Sequence, residues 1–301
     1  MTVLVGYVPH KGGRGSLDLG LQLAHAVGTS LSVVTVVPRQ WSTPSLARVD
    51  AEYAEFAQQL GEQAEAKARE YLVDTSVDIP IDYHAVTGRS VTSALLHAAQ
   101  ECRASVLVLG SSTDGAVGRI VVGSTTDKLL HSSPIPLALS PRGYRSTAAD
   151  GFSRVTCAFS DGEESEKVVA HAVSFARSLG TPARVASFGV RGATMYPPEV
   201  GLSAEDSVLD SWREQASHAQ SRLRLDEVID DATETVIATG AGWGESMSSV
   251  DWERNELLVL GSSTLGPIAR VFLGSRATKL IRHSPVPVLV VPRGYHEQRG
   301  T

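Results

Sequence analysis

The sequence predicts an α/β protein with two tandem domains, each built on a five-stranded parallel sheet of the Rossmann-like kind. The chain has 301 residues, and at roughly 150 residues a domain this length favours two domains. Apolar runs rich in Val, Ile and Leu alternate with segments of helical period, which indicates a parallel sheet covered by helices on both faces. The second half of the chain also repeats the first, so we expect the same fold twice.

The internal repeat is the strongest feature of the sequence. Residues 105–144 align without a gap on residues 256–295, and about half of the aligned positions are identical. The heptapeptide Leu-Val-Leu-Gly-Ser-Ser-Thr occurs once in each half. We therefore predict one domain at residues 1–147 and a second at residues 151–301.

Each half contains five short runs of branched apolar residues, which predict its strands. In the first half these are residues 2–8, 31–37, 79–86, 106–109 and 135–139. In the second half they are residues 154–159, 184–189, 233–238, 257–260 and 286–291. The last run of each half is short and flanked by proline, as edge strands are, so we expect these two runs to pair and form an intramolecular pseudo-dimer.

Helical periodicity fills the gaps between the strands. The first helix carries Leu17 and Leu21 on one apolar face. A long second helix carries apolar residues at three-to-four spacing, which are Tyr53, Phe56, Leu60, Ala64, Ala68 and Tyr71. The third and fourth helices are predicted at residues 90–102 and from Gly123 onward. Two prolines and a glycine predict a loop at residues 191–201.

Composition narrows the choice of partners and compartment. The chain has 27 Lys and Arg against 33 Asp and Glu, so it lacks the basic surplus of a nucleic-acid-binding protein. No apolar run approaches the roughly 20 residues that span a bilayer, and the first residues lack the basic start of an export signal. We expect a cytoplasmic protein with no nucleic-acid or membrane partner. The two cysteines, Cys102 and Cys157, support neither a disulfide framework nor a metal site.

One loop motif follows the fourth strand in both halves. Gly110-Ser-Ser-Thr113 is followed, after nine residues, by Gly123-Ser124 at a helix start, and Gly261-Ser-Ser-Thr264 and Gly274-Ser275 repeat this spacing. Glycine permits close backbone approach, and the amides and hydroxyls at a helix start can bind phosphate oxygens. The alternative is that these glycines and serines are ordinary turn and cap residues.

The joint spacing, together with the Leu-x-His-Ser-x-Pro-x-Pro segment at residues 129–136, resembles the universal stress protein family over the whole chain in tandem. The resemblance implies an adenine-nucleotide-alpha-hydrolase-like fold with strand order 3-2-1-4-5. It also implies that ATP or AMP binds in the crevice between strands one and four in some members, with Mg²⁺ only where ATP is bound. The candidate binding residues that it implies are Val8, Val36, Gly110, Thr113, Gly123, Ser124, Thr125, Ser160, Gly261, Thr264, Gly274 and Ser275.

The sequence departs from the family pattern at both ends of this site. Thr113 and Thr264 stand where binding members have a second glycine, and their side chains either fill the phosphate space or turn their hydroxyls toward the phosphates. Binding members also have an aspartate at the end of strand one, where this chain has Val8 and Ser160. Asp161, one residue beyond, offers the second half a substitute if it turns into the crevice, although an aspartate after a strand is often a turn residue or helix cap.

These observations leave two functions open. The first is a stress-response or regulatory protein that binds adenine nucleotide. The second is a member of the same family without a nucleotide, which acts through contacts with a protein partner of unknown identity. The sequence contains no catalytic motif, so slow ATP hydrolysis is the most activity that we expect. The loop at residues 10–16, rich in glycine and cations, is either an anion-binding loop or a solvated turn.

Overall fold

The computed structural model describes residues 2–9, 13–38, 47–73, 78–112, 116–146, 150–191, 198–262 and 274–292. The chain divides into two compact units at the boundary between Gly151 and Phe152. Within the described ranges, no helix is both long enough and apolar enough to cross a bilayer.

The first domain is a five-stranded sheet with helices on both faces. Its strands are β1 Thr2–Gly6, β2 Ser30–Pro38, β3 Ile81–Gly88, β4 Ala104–Gly110 and β5 Leu137–Ser140. Its helices are α1 Arg14–Val27, α2 Ala47–Leu72, α3 Val91–Glu101 and α4 Ser124–Leu130. Neighbouring strands are parallel throughout the order β3-β2-β1-β4-β5. The strand order therefore reverses between β1 and β4.

The core of the first domain lies on the two central strands. Leu4 and Val5 of β1 and Leu107 and Val108 of β4 are fully buried, because helices cover both faces of these strands. Helix α1 lies very close to β1 at Gly20, where a Cβ atom would stand 2.2 Å from Val5 Cγ2. The glycine is thus required by the close packing of α1 on the sheet.

The second domain repeats this architecture. Its strands are β6 Val155–Ala158, β7 Ala183–Val190, β8 Glu234–Gly240, β9 Leu257–Gly261 and β10 Val288–Val291. Its helices are α5 Glu163–Ser178, α6 Pro198–Leu225, α7 Trp243–Ser248 and α8 Ser275–His283. The strands are parallel in the order β8-β7-β6-β9-β10, so the reversal falls between β6 and β9.

All ten predicted strands form in the described part of the chain, with ends shifted by at most two residues. One residue of a predicted helix face and one predicted loop were wrong. Helix α2 buries Ala64 and Ala68 as predicted, but it also buries Ala57, whereas Phe56 is 56% exposed. Pro198 begins α6 inside the predicted loop at 191–201, because proline is well suited to the first turn of a helix. Residues 192–197 of that loop lie outside the described ranges.

A buried charge network, which the sequence analysis did not anticipate, links the amino ends of the strands in the second domain. Arg184 on β7 is 1% exposed and donates hydrogen bonds to Glu256 Oε1 at 2.6 Å and to Thr156 Oγ1 at 3.0 Å. Glu256 is fully buried and also accepts hydrogen bonds from Arg154 and Thr156. These partners satisfy charges that would be very costly to bury alone.

Candidate functional site

The candidate site lies where the strand order reverses, at the carboxyl ends of β1 and β4 in the first domain and of β6 and β9 in the second. In open parallel sheets this is where ligands bind, because the loops on either side of the reversal leave a crevice. The predicted residues Gly110 and Gly261 are the last residues of β4 and β9 and therefore lie at this edge.

The loop after β4 is attached to the sheet at its start and at its return. Ser111, which is 6% exposed, donates its backbone N–H to Ser140 O at 3.1 Å, and its side-chain oxygen accepts the N–H of Val121 at 2.8 Å. Ser112 donates its N–H to Val121 O at 2.9 Å. The loop is therefore closed by bonds on either side of Val121, just before the fourth helix.

Two further main-chain bonds join the middle of this loop to the segment after β5. Gly118 N donates to Arg142 O at 2.8 Å, and Arg142 N donates to Arg119 O at 2.9 Å. Gly118 and Gly143 both have positive φ, at +79° and +75°, a conformation that favours glycine. The repeated Pro-Arg-Gly-Tyr sequence at residues 141–144 thus fixes the position of the loop in the first domain.

Gly123 precedes α4 and leaves open space before the helix. Its backbone is extended, with φ −80° and ψ 169°, and no side chain caps the helix. A Cβ atom at Gly123 would make an ordinary contact of 3.7 Å with Ser112 Cβ. Ser124 is exposed and Thr125 is partly exposed, so two predicted hydroxyl groups are accessible beside this space. Backbone strain does not require the glycine here, whereas close approach of a ligand would.

The β1 end of the first domain is apolar, and the start of α1 beside it carries a positive charge. Val8 lies two residues beyond β1 and is 47% exposed, and Val36 on β2 is partly exposed. Gly13 lies against the segment that follows β1, since a Cβ atom there would stand 2.7 Å from Val8 O. The first turn of α1 contains Arg14 and no acidic residue.

The corresponding end of the second domain is polar and satisfied from within. Ser160, beyond β6, donates its backbone N–H to Ser165 Oγ at 3.1 Å. Asp161 forms an ion pair and a hydrogen bond with Arg222 of α6. The proposed substitute for the family's aspartate is therefore engaged by its own domain. The first turn of α5 also carries three glutamates, which are Glu163, Glu164 and Glu166.

Gly261 has a structural reason that the sequence analysis did not identify. A Cβ atom at this position would stand 2.7 Å from Val168 Cγ2 of α5, so the glycine is needed for the helix to pack on β9. Gly274 precedes α8 with an extended backbone and without a side-chain cap, and Ser275 is exposed. This helix start resembles that of α4.

Several predicted residues lie outside the described ranges. They include Thr113, Thr264 and residues 10–12 of the glycine-rich loop. The two alternatives for the threonines therefore stay predictions.

The structure adds Ser111, Val121 and Arg142, which hold the β4 loop. The repeat of Pro-Arg-Gly-Tyr was the sequence signal that marked the positions around Arg142. In the described ranges, no group of three or more His, Cys, Asp or Glu side chains is arranged to bind a metal ion.

A repeated five-stranded parallel α/β domain, whose strand order reverses between its first and fourth strands, defines the Rossmann-like class of folds to which universal stress proteins belong. The model of the universal stress protein family matches the chain twice, at residues 1–141 and 151–292, and the chain belongs to this family.

Some relatives match nearly the whole chain, and others match a single domain. A universal stress protein of Mycobacterium tuberculosis H37Rv is 46% identical over 97% of this chain and all of its own length. A universal stress protein of Mycolicibacterium smegmatis is 31% identical over 47% of this chain and 99% of its own length, so it matches a single domain. The crystal structure of a universal stress protein from Archaeoglobus fulgidus has a TM-score of 0.62 and 18% identity, covering 97% of this chain and 98% of that one.

Proposed function

We propose that this universal stress protein is a regulatory protein whose first domain binds an adenine nucleotide, ATP or AMP, at the β1/β4 edge. In this proposal the second domain no longer binds one. The observation that carries it is the difference in charge at the two strand-one ends. The first domain has Arg14 and no carboxylate in the first turn of α1, whereas α5 begins with three glutamates.

The phosphate end of the proposed site is the space before α4. Gly123 lets the backbone come close to a phosphate, and the hydroxyls of Ser124 and Thr125 add hydrogen-bond donors. The bonds at Ser111 and Val121 support the proposal, because they fix both ends of the β4 loop and so reduce the entropy that is lost when a ligand binds. Mg²⁺ would accompany ATP by neutralising phosphate charge, and AMP would bind without it.

The base end of the proposed site is the exposed surface of Val8 and Val36. Apolar side chains can pack on the face of an adenine, but they offer no acceptor to the ribose hydroxyls. We therefore expect the affinity to come from the phosphates and the base, with little discrimination at the ribose.

In the second domain, the proposal is supported by the contacts that residues at the strand-one end already make within their own domain. Asp161 is paired with Arg222, and the glutamates at the start of α5 place negative charge at the strand-one end of this edge. Carboxylates near a site disfavour the binding of an anion, most strongly at low salt. Nucleotide bound to the first domain alone would act as a signal by favouring one arrangement of the β4 loop, provided that the two arrangements differ in affinity.

The test is calorimetric titration of ATP, with Mg²⁺, and of AMP into the wild type and two matched variants. Gly123→Val places a branched side chain in the proposed phosphate space, and Gly274→Val makes the same change at the equivalent position of the second domain. We expect Gly123→Val to weaken binding at least about tenfold and Gly274→Val to leave it unchanged. Equal losses in both variants would refute a single site in the first domain. An absence of binding to the wild type would favour the alternative function through a protein partner.

A further inference from the structure

Two buried polar side chains on α1 face the segment that follows β5. Asp18 is 6% exposed and Gln22 is fully buried, and they lie one helical turn apart on the same face. The described residues 141–146 and 150–151 after β5 are here called the connector. Buried polar groups need partners: Gln22 finds its partners in the connector, and Asp18 finds one in α2 and one in the connector.

Gln22 binds the connector at two points. The Tyr144 hydroxyl donates a hydrogen bond to Gln22 Oε1 at 2.6 Å, and Gln22 Nε2 donates to the carbonyl oxygen of Gly151. One amide side chain thus holds two positions of the connector that are seven residues apart. Neither bond changes between pH 5 and 8, because an amide and a phenol do not titrate there.

Asp18 joins α2 and the connector to α1. The Tyr71 hydroxyl of α2 donates to Asp18 Oδ1 at 2.8 Å and lies 3.0 Å from Oδ2. Arg145 of the connector, whose side chain is 52% exposed, places Nη1 3.6 Å from Asp18 Oδ2. Arg14 is a second cation nearby, with its guanidinium 5.3 Å from the centre of the Tyr71 ring. Among the described residues, the titratable and charged groups around the Asp18 carboxylate are therefore Tyr71, Arg145 and Arg14.

The Asp18 carboxylate titrates close to neutrality. Burial raises its pKa to about 6, although the hydrogen bond from Tyr71 and the charges of Arg145 and Arg14 oppose this shift. Burial and the hydrogen bond to Asp18 also raise the pKa of Tyr71 to about 12, so the phenol keeps its proton as a donor. A modest acidification therefore changes the charge of Asp18 and of no other member of the group.

We propose that Asp18 and Gln22 form a clasp that holds the connector on α1 at neutral pH and releases its Arg145 end in acid. A protonated Asp18 keeps its hydrogen bond with Tyr71 but no longer attracts the guanidinium. The Gln22 bonds remain, so the connector stays attached through Tyr144 and Gly151. The device converts a change in pH into mobility of residues 144–146, and it does not depend on nucleotide binding.

Hydrogen exchange of the intact protein, read by mass spectrometry, tests the clasp. Exchange of the peptide with Tyr144, Arg145 and Ser146 is measured at about pH 5 and about pH 7.5 and corrected for the intrinsic effect of pH. In the wild type we expect protection to fall roughly threefold to fivefold at the lower pH, the scale of a half-exposed ion pair. Asp18→Asn should show the lower protection at both pH values. Arg145→Gln should do the same, since it removes the pair from the connector side.

The control is Asp78→Asn, which neutralises an exposed carboxylate of the same domain and should keep the response of the wild type. Circular dichroism confirms that each variant is folded, and Arg145→Gln, at an exposed position, carries the test if Asp18→Asn does not fold. Equal protection of the wild-type peptide at both pH values overturns the proposal. A pH response that survives in Arg145→Gln also overturns it.

Discussion

The two domains have the same number and order of strands, but they differ at the edges where a ligand would bind. At the β1 end the first domain presents Val8, Gly13 and Arg14, whereas at the β6 end the second presents Asp161, paired with Arg222, and a glutamate-rich helix start. At the amino ends of the strands the second domain has a buried ion network around Arg184. The core of a duplicated domain is constrained by packing, and its edges are free to take new charges.

The largest expected effect concerns the buried network. Glu256→Ala leaves the Arg184 guanidinium buried and without its main counter-charge, so we expect the free energy of unfolding of the second domain to fall by about 3–5 kcal/mol. The first domain has Ser105 at the aligned position, partly exposed and bonded to Thr2 O, and Ser105→Ala should cost at most about 1 kcal/mol. Urea unfolding followed by tryptophan fluorescence measures the first change, because three of the four tryptophans lie in the second domain. Similar costs for the two variants would contradict the comparison.

The next effect concerns the pH dependence of stability. The pKa of Asp18 is raised from 3.8 to about 6 in the folded chain, so the folded state binds this proton more tightly than the unfolded state. The resulting stabilisation is complete below about pH 3.8 and is lost as the pH rises through about 6. Asp18→Asn should therefore be more stable than the wild type at pH 8 by roughly 2–3 kcal/mol and should have a flatter profile between pH 4 and 7.

The control for Asp18→Asn is Asp161→Asn, which makes the same change at an exposed carboxylate of the second domain. Thermal unfolding across that pH range should give the same slope for this variant as for the wild type. If Asp18→Asn keeps the wild-type slope, then Asp18 does not titrate as its burial requires.

A smaller effect distinguishes a glycine that is needed for packing, Gly261, from one that leaves room for a ligand, Gly123. The measured quantity is the loss of stability when each is replaced by alanine. Gly261→Ala forces a Cβ atom against Val168, so we expect a loss of about 1–3 kcal/mol in stability. Gly123→Ala has an allowed backbone and only an ordinary contact with Ser112, so its cost should stay below about 1 kcal/mol. The double variant Gly261→Ala with Val168→Ala should be less destabilised than the sum of its single changes, as chemical denaturation of all four proteins will show. Simple additivity would exclude this contact as the reason for the glycine.

The smallest expected effect concerns anion binding by the second domain. In a Gly123→Val background, replacing Glu163, Glu164 and Glu166 together by glutamine removes negative charge from the start of α5. We expect ATP affinity to rise by roughly threefold to tenfold at low salt, and the gain to shrink as salt screens the charges. Calorimetry at two salt concentrations measures it. A gain that is independent of salt would mean that charge is not what separates the two domains.

The sequence predicted the strands well because buried parallel strands are continuous apolar runs, as Leu107 and Val108 illustrate. It placed the helix start after Gly123 correctly from spacing alone. On α2, Ala64 and Ala68 are buried as predicted, but Ala57 is buried in place of Phe56, because neighbouring stripes of a long helix fit a period of 3.6 about equally well.

Contacts between distant parts of the chain were beyond sequence reasoning. Arg184 and Glu256 are far apart in sequence, and nothing local marks either residue as buried. Asp18 and Gln22 lie at ordinary helical spacing, and their partners in α2 and the connector become evident only when the chain is folded. Gly261 matched a binding motif, although its neighbour Val168 gives it a packing reason that one sequence does not reveal.

The loop after β4 is held in place by main-chain bonds from Gly118 and Arg142, by the side chain of Ser111 and by the buried side chain of Ile120. Val117, in contrast, is 74% exposed and carries little of the fold. Mutations can accumulate at such an exposed position without unfolding the domain, so selection can change what this edge recognises while the scaffold persists. The same property makes the loop a natural place to graft a new binding sequence of equal length, with Gly118 and Ile120 kept.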